Sequence, residues 1–193
     1  MNSMDAKPPG IIDEVKMVHG GGSGDWFPAE EIRKYTNVFL IQGDRLLLGY
    51  KKRGLGIHKY NGFGGKVEPN ESTLDAAQRE LQEEAGIIAP LEHAGTLLFV
   101  VPGSKWAHID IFRAEEYSGT IAESDEMRPE WFNKGEIPFD NMWDTDRYWL
   151  PLLLANRPFS GRADYEKKGE DFILKKWWFG INPNTVSQAN QCI

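Results

Sequence analysis

Residues 65–87 read GKVEPNESTLDAAQRELQEEAGI, and the reading of the whole chain turns on them. Their spacing predicts a helix over about residues 73–85. Ser72 stands where an N-cap belongs, Asp75 supplies the partner acid three residues on, and Gly86 is a C-terminal stop. Leu74, Ala77, Leu81 and Ala85 recur at i, i+3, i+7 and i+11, so they share one stripe that should face a sheet. Beside it Glu80, Glu83 and Glu84 stand at i, i+3 and i+4, within an arc of about 100°. Ionised together, three such carboxylates repel and raise one another's proton affinity, an arrangement that costs stability until a cation neutralises it. All-oxygen ligation suits Mg²⁺ or Mn²⁺, and no nearby Cys or His cluster points to zinc. Glu-rich helix faces are commonly just solvated, so a cation site needs support from the surrounding residues.

Working outward, three pairs of apolar runs carry hairpin signals. Thr36 to Ile41 and Arg45 to Tyr50 flank Gln42-Gly43-Asp44; Leu97 to Val101 and Ile109 to Phe112 flank Pro102-Gly103-Ser104; Arg162 to Tyr165 and Phe172 to Trp178 flank Lys168-Gly169-Glu170. A second helix is expected from about Asp146 to Ala155, with Pro151 limiting the regularity of its opening. Strands broken by helices in irregular order give an α+β, or mixed α/β, sandwich with helices on a twisted sheet. Residues 1–33, with Pro8-Pro9 and the glycine run from Gly20 to Gly24, read as a flexible N-terminal extension. Residues 34–180 form the folded domain, and 181–193 a flexible polar tail.

At 193 residues the chain has the size of one ordinary domain, and 40% apolar residues are enough to bury a core. No stretch approaches the roughly 18 consecutive apolar residues of a membrane span, and Met1 to Pro9 lacks the apolar stretch of a secretory signal, so a soluble protein is expected. The lone cysteine, Cys192, can close no internal disulfide, which fits a reducing compartment and a cytoplasmic location. A net charge of −7 repels duplex nucleic acid over most of the surface, so no stable nucleic-acid partner is expected, and a polyanionic ligand would need lysines or a metal ion. A monomer is the expectation.

The surroundings of the three glutamates do support a site. Gly65, Glu71, Arg79, Glu80, Leu81, Glu83, Glu84, Gly86 and Ile87 fit G-x5-E-x7-R-E-U-x-E-E-x-G-U, with U aliphatic, at every fixed position. With average residue usage, chance agreement is on the order of one in a billion per starting point. The segment resembles the Nudix hydrolase box. That resemblance implies an α/β/α sandwich with a mixed twisted sheet, and a loop–helix–loop unit that binds divalent metal at a nucleoside-diphosphate-type linkage. It gives the Gly64 carbonyl and Glu80, Glu83 and Glu84 as metal ligands, with Mg²⁺ first and Mn²⁺ possible as the cofactor, and Glu80 and Glu83 as candidate proton acceptors. Glu71 and Arg79 are then an ion pair that orients the glutamates.

The likeness extends over roughly residues 34–179. KKRGLGIHKYNGFGGKV, ESDEMRPEWF, IPFDNMW and YWLPLLL are similar to segments of the animal-type oxidised purine nucleoside triphosphate hydrolases. The substrate it implies is a small nucleotide such as 8-oxo-dGTP or 2-hydroxy-dATP, cleaved to monophosphate and pyrophosphate. By the same resemblance Asn61 hydrogen-bonds the base and Trp143 stacks on it. Thr36, Lys51, Phe99 and Asp146 line the pocket, and Glu126 is an acid near the metal. The subgroup pattern has two adjacent aspartates after the tryptophan. Here Trp143-Asp144-Thr145-Asp146 puts Thr145 at the first of those positions, and Leu55 and Tyr60 replace a rim phenylalanine and a tryptophan. The sequence leaves open another diphosphate-linked substrate, such as a sugar nucleotide or dinucleoside polyphosphate, and a non-catalytic nucleotide-binding module.

Overall fold

The computed structural model describes residues 6–28 and 31–183. In chain order the elements are β1 (Lys16–Gly22), β2 (Ile32–Gln42), β3 (Arg45–Lys51), β4 (Tyr60–Asn61), α1 (Thr73–Ala85), β5 (Ile87–Ile88), β6 (Glu92–Val100), β7 (Trp106–Ala114), β8 (Ser118–Gly119), β9 (Met127–Asn133), α2 (Asp146–Leu154), β10 (Phe159–Lys168) and β11 (Asp171–Ile181). Contacts divide the chain into two units. One comprises Met1–Arg33, Ala94–Ile109 and Arg147–Ile193, the other Lys34–His93 and Asp110–Asp146. No helix among the described residues is long and apolar enough to cross a membrane.

The unit built from Lys34–His93 and Asp110–Asp146 carries the glutamate helix. Strands β2 and β3 pair only near their turn, from Leu40↔Leu47 to Gln42↔Arg45, and then diverge. The chain on either side of the glycine loop fills the gap. Asn61 pairs with Gly49 and Tyr60 with Tyr50 on the β3 side, while Phe63 bridges to Val38 and Lys66 to Tyr35 on the β2 side. The other edge of β3 takes β9, from Arg45↔Asn133 to Lys51↔Met127. The stretch leading into α1 is thus held between two strands before the helix begins.

Helix α1 has the expected bounds. The Ser72 hydroxyl accepts from the Asp75 N–H at 3.1 Å, and Gly86 ends the helix in the left-handed region at φ 75°. Its buried face differs from the expected stripe: Ala76, Ala77, Leu81, Glu84 and Ala85 are inside, whereas Leu74 is exposed. At about 100° per residue the buried arc centres between Ala77 and Glu84. That centre draws Glu84 inward and leaves Glu83 outside the arc, whereas Leu74 falls within the arc by angle and is exposed in the first turn of the helix. The helix packs on Val38, Leu40, Leu47, Phe63, Phe112 and Met127.

The other unit holds a mixed sheet in the order β1-β11-β10-β6. β10 is antiparallel to β11 and parallel to β6, with Phe159↔Gly95 through Asp164↔Val100 in register. The expectation that residues 1–33 are a flexible extension is corrected here. Residues 16–22 are strand β1, paired antiparallel along β11 with Gly21 opposite Trp177. Ile11 is buried, and Val15, Met17, Trp26 and Phe27 pack on Trp106 and Trp178. The glycines that read as a linker have a packing reason: a Cβ on Gly21 would collide with the Trp177 ring. Trp177 in turn stacks on Tyr148 of α2 at 5.3 Å and 17°. Most of the tail read as flexible, residues 184–193, lies outside the described residues, and Ile181 closes β11.

The same unit buries a charge. The Arg162 side chain is 0% exposed and Asp164 1%. Arg162 donates from Nε to Asp164 Oδ1 at 2.7 Å, from Nη1 to the Pro9 carbonyl at 2.9 Å, and from Nη2 to the Phe27 carbonyl at 2.6 Å. Its guanidinium lies 4.4 Å from the Trp106 ring centroid and 5.0 Å from that of Trp26. Asp164 also accepts from the Phe27 N–H at 2.6 Å. A single guanidinium therefore ties the N-terminal segment to the sheet at two carbonyls.

Candidate active site

The glutamates of α1 sort themselves by burial. Glu84 is 5% exposed and Glu80 16%, while Glu83 stands 60% in solvent. Two cationic side chains reach them. Arg79 grips Glu71 with both branches, Nε to Oε1 at 2.9 Å and Nη2 to Oε2 at 3.1 Å, and extends Nη1 to Glu80 at 2.9 Å and to Glu83 at 3.3 Å. The Arg79 hydrogen bond holds Glu71 below the usual carboxylate range, and Arg79 itself is pushed up by Glu71. The expected Glu71–Arg79 pair is therefore formed, with Arg79 also reaching the glutamates it was expected to orient.

On the other side Lys51, at the end of β3, contacts Glu126 and lies 3.3 Å from Glu84 Oε1. Arg53 Nε reaches the second Glu126 oxygen at 3.2 Å. Glu84 Oε2 accepts from the Gly64 N–H at 2.8 Å, which pins the glycine loop to the helix. A Cβ at Gly65 would meet the Glu80 carboxylate, and one at Gly64 would collide with the Thr36 backbone, so the loop lies this close with glycine at position 64. Burial pushes Glu84 up to about 7 in spite of Lys51, and burial likewise raises Glu80 against the pull of Arg79. Burial also opposes ionisation of Glu126, but Lys51 and Arg53 outweigh it and hold that carboxyl low.

Among the described residues, no group of three or more His, Cys, Asp and Glu side chains is arranged to hold a metal ion. The expected convergence of Glu80, Glu83 and Glu84 is thus not seen in this arrangement of side chains, for a physical reason. Arg79 draws Glu80 and Glu83 toward Glu71, while Lys51 draws Glu84 toward Glu126. The donor set nonetheless fits a hard divalent ion. It is all oxygen, its carboxylates sit on one helix beside a glycine loop, and burial raises the proton affinity of Glu84 and of half-buried Glu80 in spite of their cationic partners.

A second cluster surrounds the expected base-binding residues. Asn61 Oδ1 accepts from Asn37 Nδ2 at 2.8 Å and from the Gly62 N–H at 2.9 Å. Trp143 donates its N–H to Asp146 Oδ2 at 3.1 Å, and Lys59 lies 5.5 Å from the Trp143 ring centroid while donating to the Met142 carbonyl at 3.0 Å. Asp146 and Thr145 are both buried. Asp146 thus fixes the backbone that carries the indole. Thr36 is buried too, on the side of β2 that it shares with the core residue Val38, opposite Asn37 by strand alternation. Phe99 belongs to the other unit, where its ring meets Tyr165 edge-on at 5.6 Å. Sequence reasoning missed Asn37 and Lys59, whereas Arg53 belongs to the run of three cations, Lys51 to Arg53, whose place beside the glycine loop suits a triphosphate. The signal for Asn37 was available, since it is a lone amide at the head of the apolar run Val38 to Ile41.

With this geometry in hand, comparison with known proteins defines the class. Residues 31–153 match the family model described as NUDIX domain, and the chain belongs to the Nudix family. It is 45% identical over 144 residues to the oxidized purine nucleoside triphosphate hydrolase of Mus musculus, covering 74% of this chain and 91% of that one. Against the protein of the same description from Danio rerio the identity is 45% over 142 residues, 72% of this chain and 90% of the relative. Among solved structures, the fold is similar to a MutT protein from Bacillus halodurans, with a TM-score of 0.68 and 28% identity over 77% of this chain and 97% of that one.

Proposed function

We propose that this chain hydrolyses oxidised purine nucleoside triphosphates, of the 8-oxo-dGTP and 2-hydroxy-dATP type, to monophosphate and pyrophosphate, and so removes damaged precursors from the nucleotide pool. The observation that carries the reading is the 45% identity extending over 91% of the mouse enzyme. Nudix hydrolases generally use a divalent metal, and Mg²⁺ is the ion proposed here. Glu80, Glu83, Glu84 and the Gly64 carbonyl would hold it, with Glu126 close by. When bound, the ion neutralises phosphate oxygens and acidifies water.

The chain's own side chains do the rest. Lys51 and Arg53 supply positive charge for the triphosphate in a protein whose net charge is −7. Arg79, fixed by Glu71, holds Glu80 and Glu83, and Glu84 ties the helix to the glycine loop at the Gly64 N–H. Glu80 or Glu83 accepts the proton of the attacking water as the new P–O bond forms and the bond to pyrophosphate breaks. Trp143 offers a face for the base and Asn61 an amide for its edge. A monomer in the cytoplasm completes the proposal. Pyrophosphate release from 8-oxo-dGTP, 2-hydroxy-dATP, dGTP, dATP and a nucleoside-diphosphate sugar, measured side by side with Mg²⁺, tests it. The oxidised triphosphates should lead in kcat/KM. Preference for the unmodified or sugar-linked substrates would overturn it.

A further inference from the structure

The Asn37–Asn61 contact lies outside the Nudix box and joins residues 24 positions apart in sequence. Its direction is settled by one backbone group. The Gly62 N–H points at the Asn61 side chain at 2.9 Å and can be met there only by an acceptor, so Oδ1 must face it. Asn37 then has to present its own amide nitrogen to that same oxygen, at 2.8 Å. Both acceptor sites of Asn61 Oδ1 are used up, and what Asn61 retains for a ligand is Nδ2 with its N–H donors. The arrangement has a cost on the far side of Asn37, whose Oδ1 is buried with no hydrogen-bond partner among the described residues, where a Cβ on Gly62 would run into it. A buried acceptor left unmatched calls for an explanation, because a leucine of similar size would carry no such penalty.

We infer that Asn37 is a positioning residue for base selection: it locks the Asn61 amide so that the pocket presents an N–H donor rather than a carbonyl to the base. Asn37 need not touch substrate for this. It removes the alternative in which Asn61 flips or swings, so a base with an acceptor at the facing atom is favoured over one with a donor there. The inference rests on the proposed use of Asn61 as a base contact, and it names the side chain that, together with the Gly62 N–H, holds that contact in one polarity.

The test is a double-mutant cycle with Asn37→Leu and Asn61→Ala, read as kcat and KM separately on the same panel of nucleotides. Asn37→Leu should raise KM for the preferred nucleotide by about 3- to 10-fold, the worth of one hydrogen bond, with kcat little changed. It should also compress the ratio of kcat/KM between preferred and disfavoured bases. Thermal stability should hold or rise, since the unmatched acceptor is gone. In the Asn61→Ala background the same substitution should do nothing further. Full additivity of the two changes, or an unaltered base ranking in Asn37→Leu when Asn61→Ala alters it, would overturn the inference. The base ranking of the native chain tests the proposed function separately, since the cycle can be run on whichever nucleotide is hydrolysed best.

Discussion

Arg162 and Glu84 are buried to nearly the same degree, at 0% and 5% side-chain exposure, yet their surroundings treat them in opposite ways. Arg162 meets a carboxylate in two-pronged fashion, two backbone carbonyls and two indole faces. Glu84 meets one backbone N–H and a lysine at 3.3 Å that is also engaged with Glu126, and burial still lifts its proton affinity to about 7. A buried charge held by a carboxylate, two carbonyls and two ring faces is architecture. One whose partners fall short of its desolvation is a place where an external cation gains the most.

Breaking the first cluster should cost the most. Arg162→Met strands Asp164 and the Pro9 and Phe27 carbonyls, so about 3–5 kcal/mol of stability is lost. In a chain of this length that corresponds to a melting temperature lower by about 6–20 °C in a thermal unfolding scan. Nucleotide hydrolysis per folded molecule should be retained well below the transition.

The second cluster predicts a gain of stability from the removal of charge. Glu84 has a higher proton affinity folded than unfolded, so its contribution to stability is complete below pH about 4.5 and is lost as pH rises through about 7. In EDTA, Glu84→Gln should therefore exceed the native chain in stability by an amount that grows from pH 5 to 7 and levels off near 3 kcal/mol, on the order of the shift at about 1.4 kcal/mol per unit. Denaturant unfolding at a series of pH values measures it, and a variant less stable than the native chain at pH 8 would contradict it. Glu83→Gln sharpens the contrast. Its side chain is 60% exposed, so stability should be unchanged while kcat falls by at least about a hundredfold.

The two regions were not equally legible. The helix bounds, its caps and the glutamate spacing are local properties, readable within the stretch from Ser72 to Gly86. What local spacing could not fix was the rotation of that helix, which depends on Val38, Phe63 and Met127 and decides that Glu84 goes in and Glu83 out. The Arg162 cluster joins residues 135 and 153 positions apart, and no window of sequence contains both ends. The glycines of β1 misled because their role is set by a tryptophan across the sheet. Asn37 was hidden for the same reason, having meaning only opposite Asn61.

The smallest effect concerns the substrate edge. Thr145 and Asp146 are both buried, so Thr145→Asp would bury a second carboxyl whose ionisation burial opposes. The order of the nucleotides in kcat/KM should shift by a few-fold and become pH-dependent, measured at pH 6 and 8; an unchanged order at both values would show that this position does not select the base.

The claim at the centre is that the under-compensated carboxylates of α1 complete themselves with a divalent cation. Calorimetric titration of Mn²⁺ and Mg²⁺ into the native chain and into Glu84→Gln, at pH 8 and pH 6, puts it to the test. The account predicts saturable binding in the native chain at pH 8, weaker at pH 6 as protons compete for Glu84, and loss of that binding in the variant. Equal binding by both proteins, or no binding heat from the native chain at millimolar metal, would contradict it.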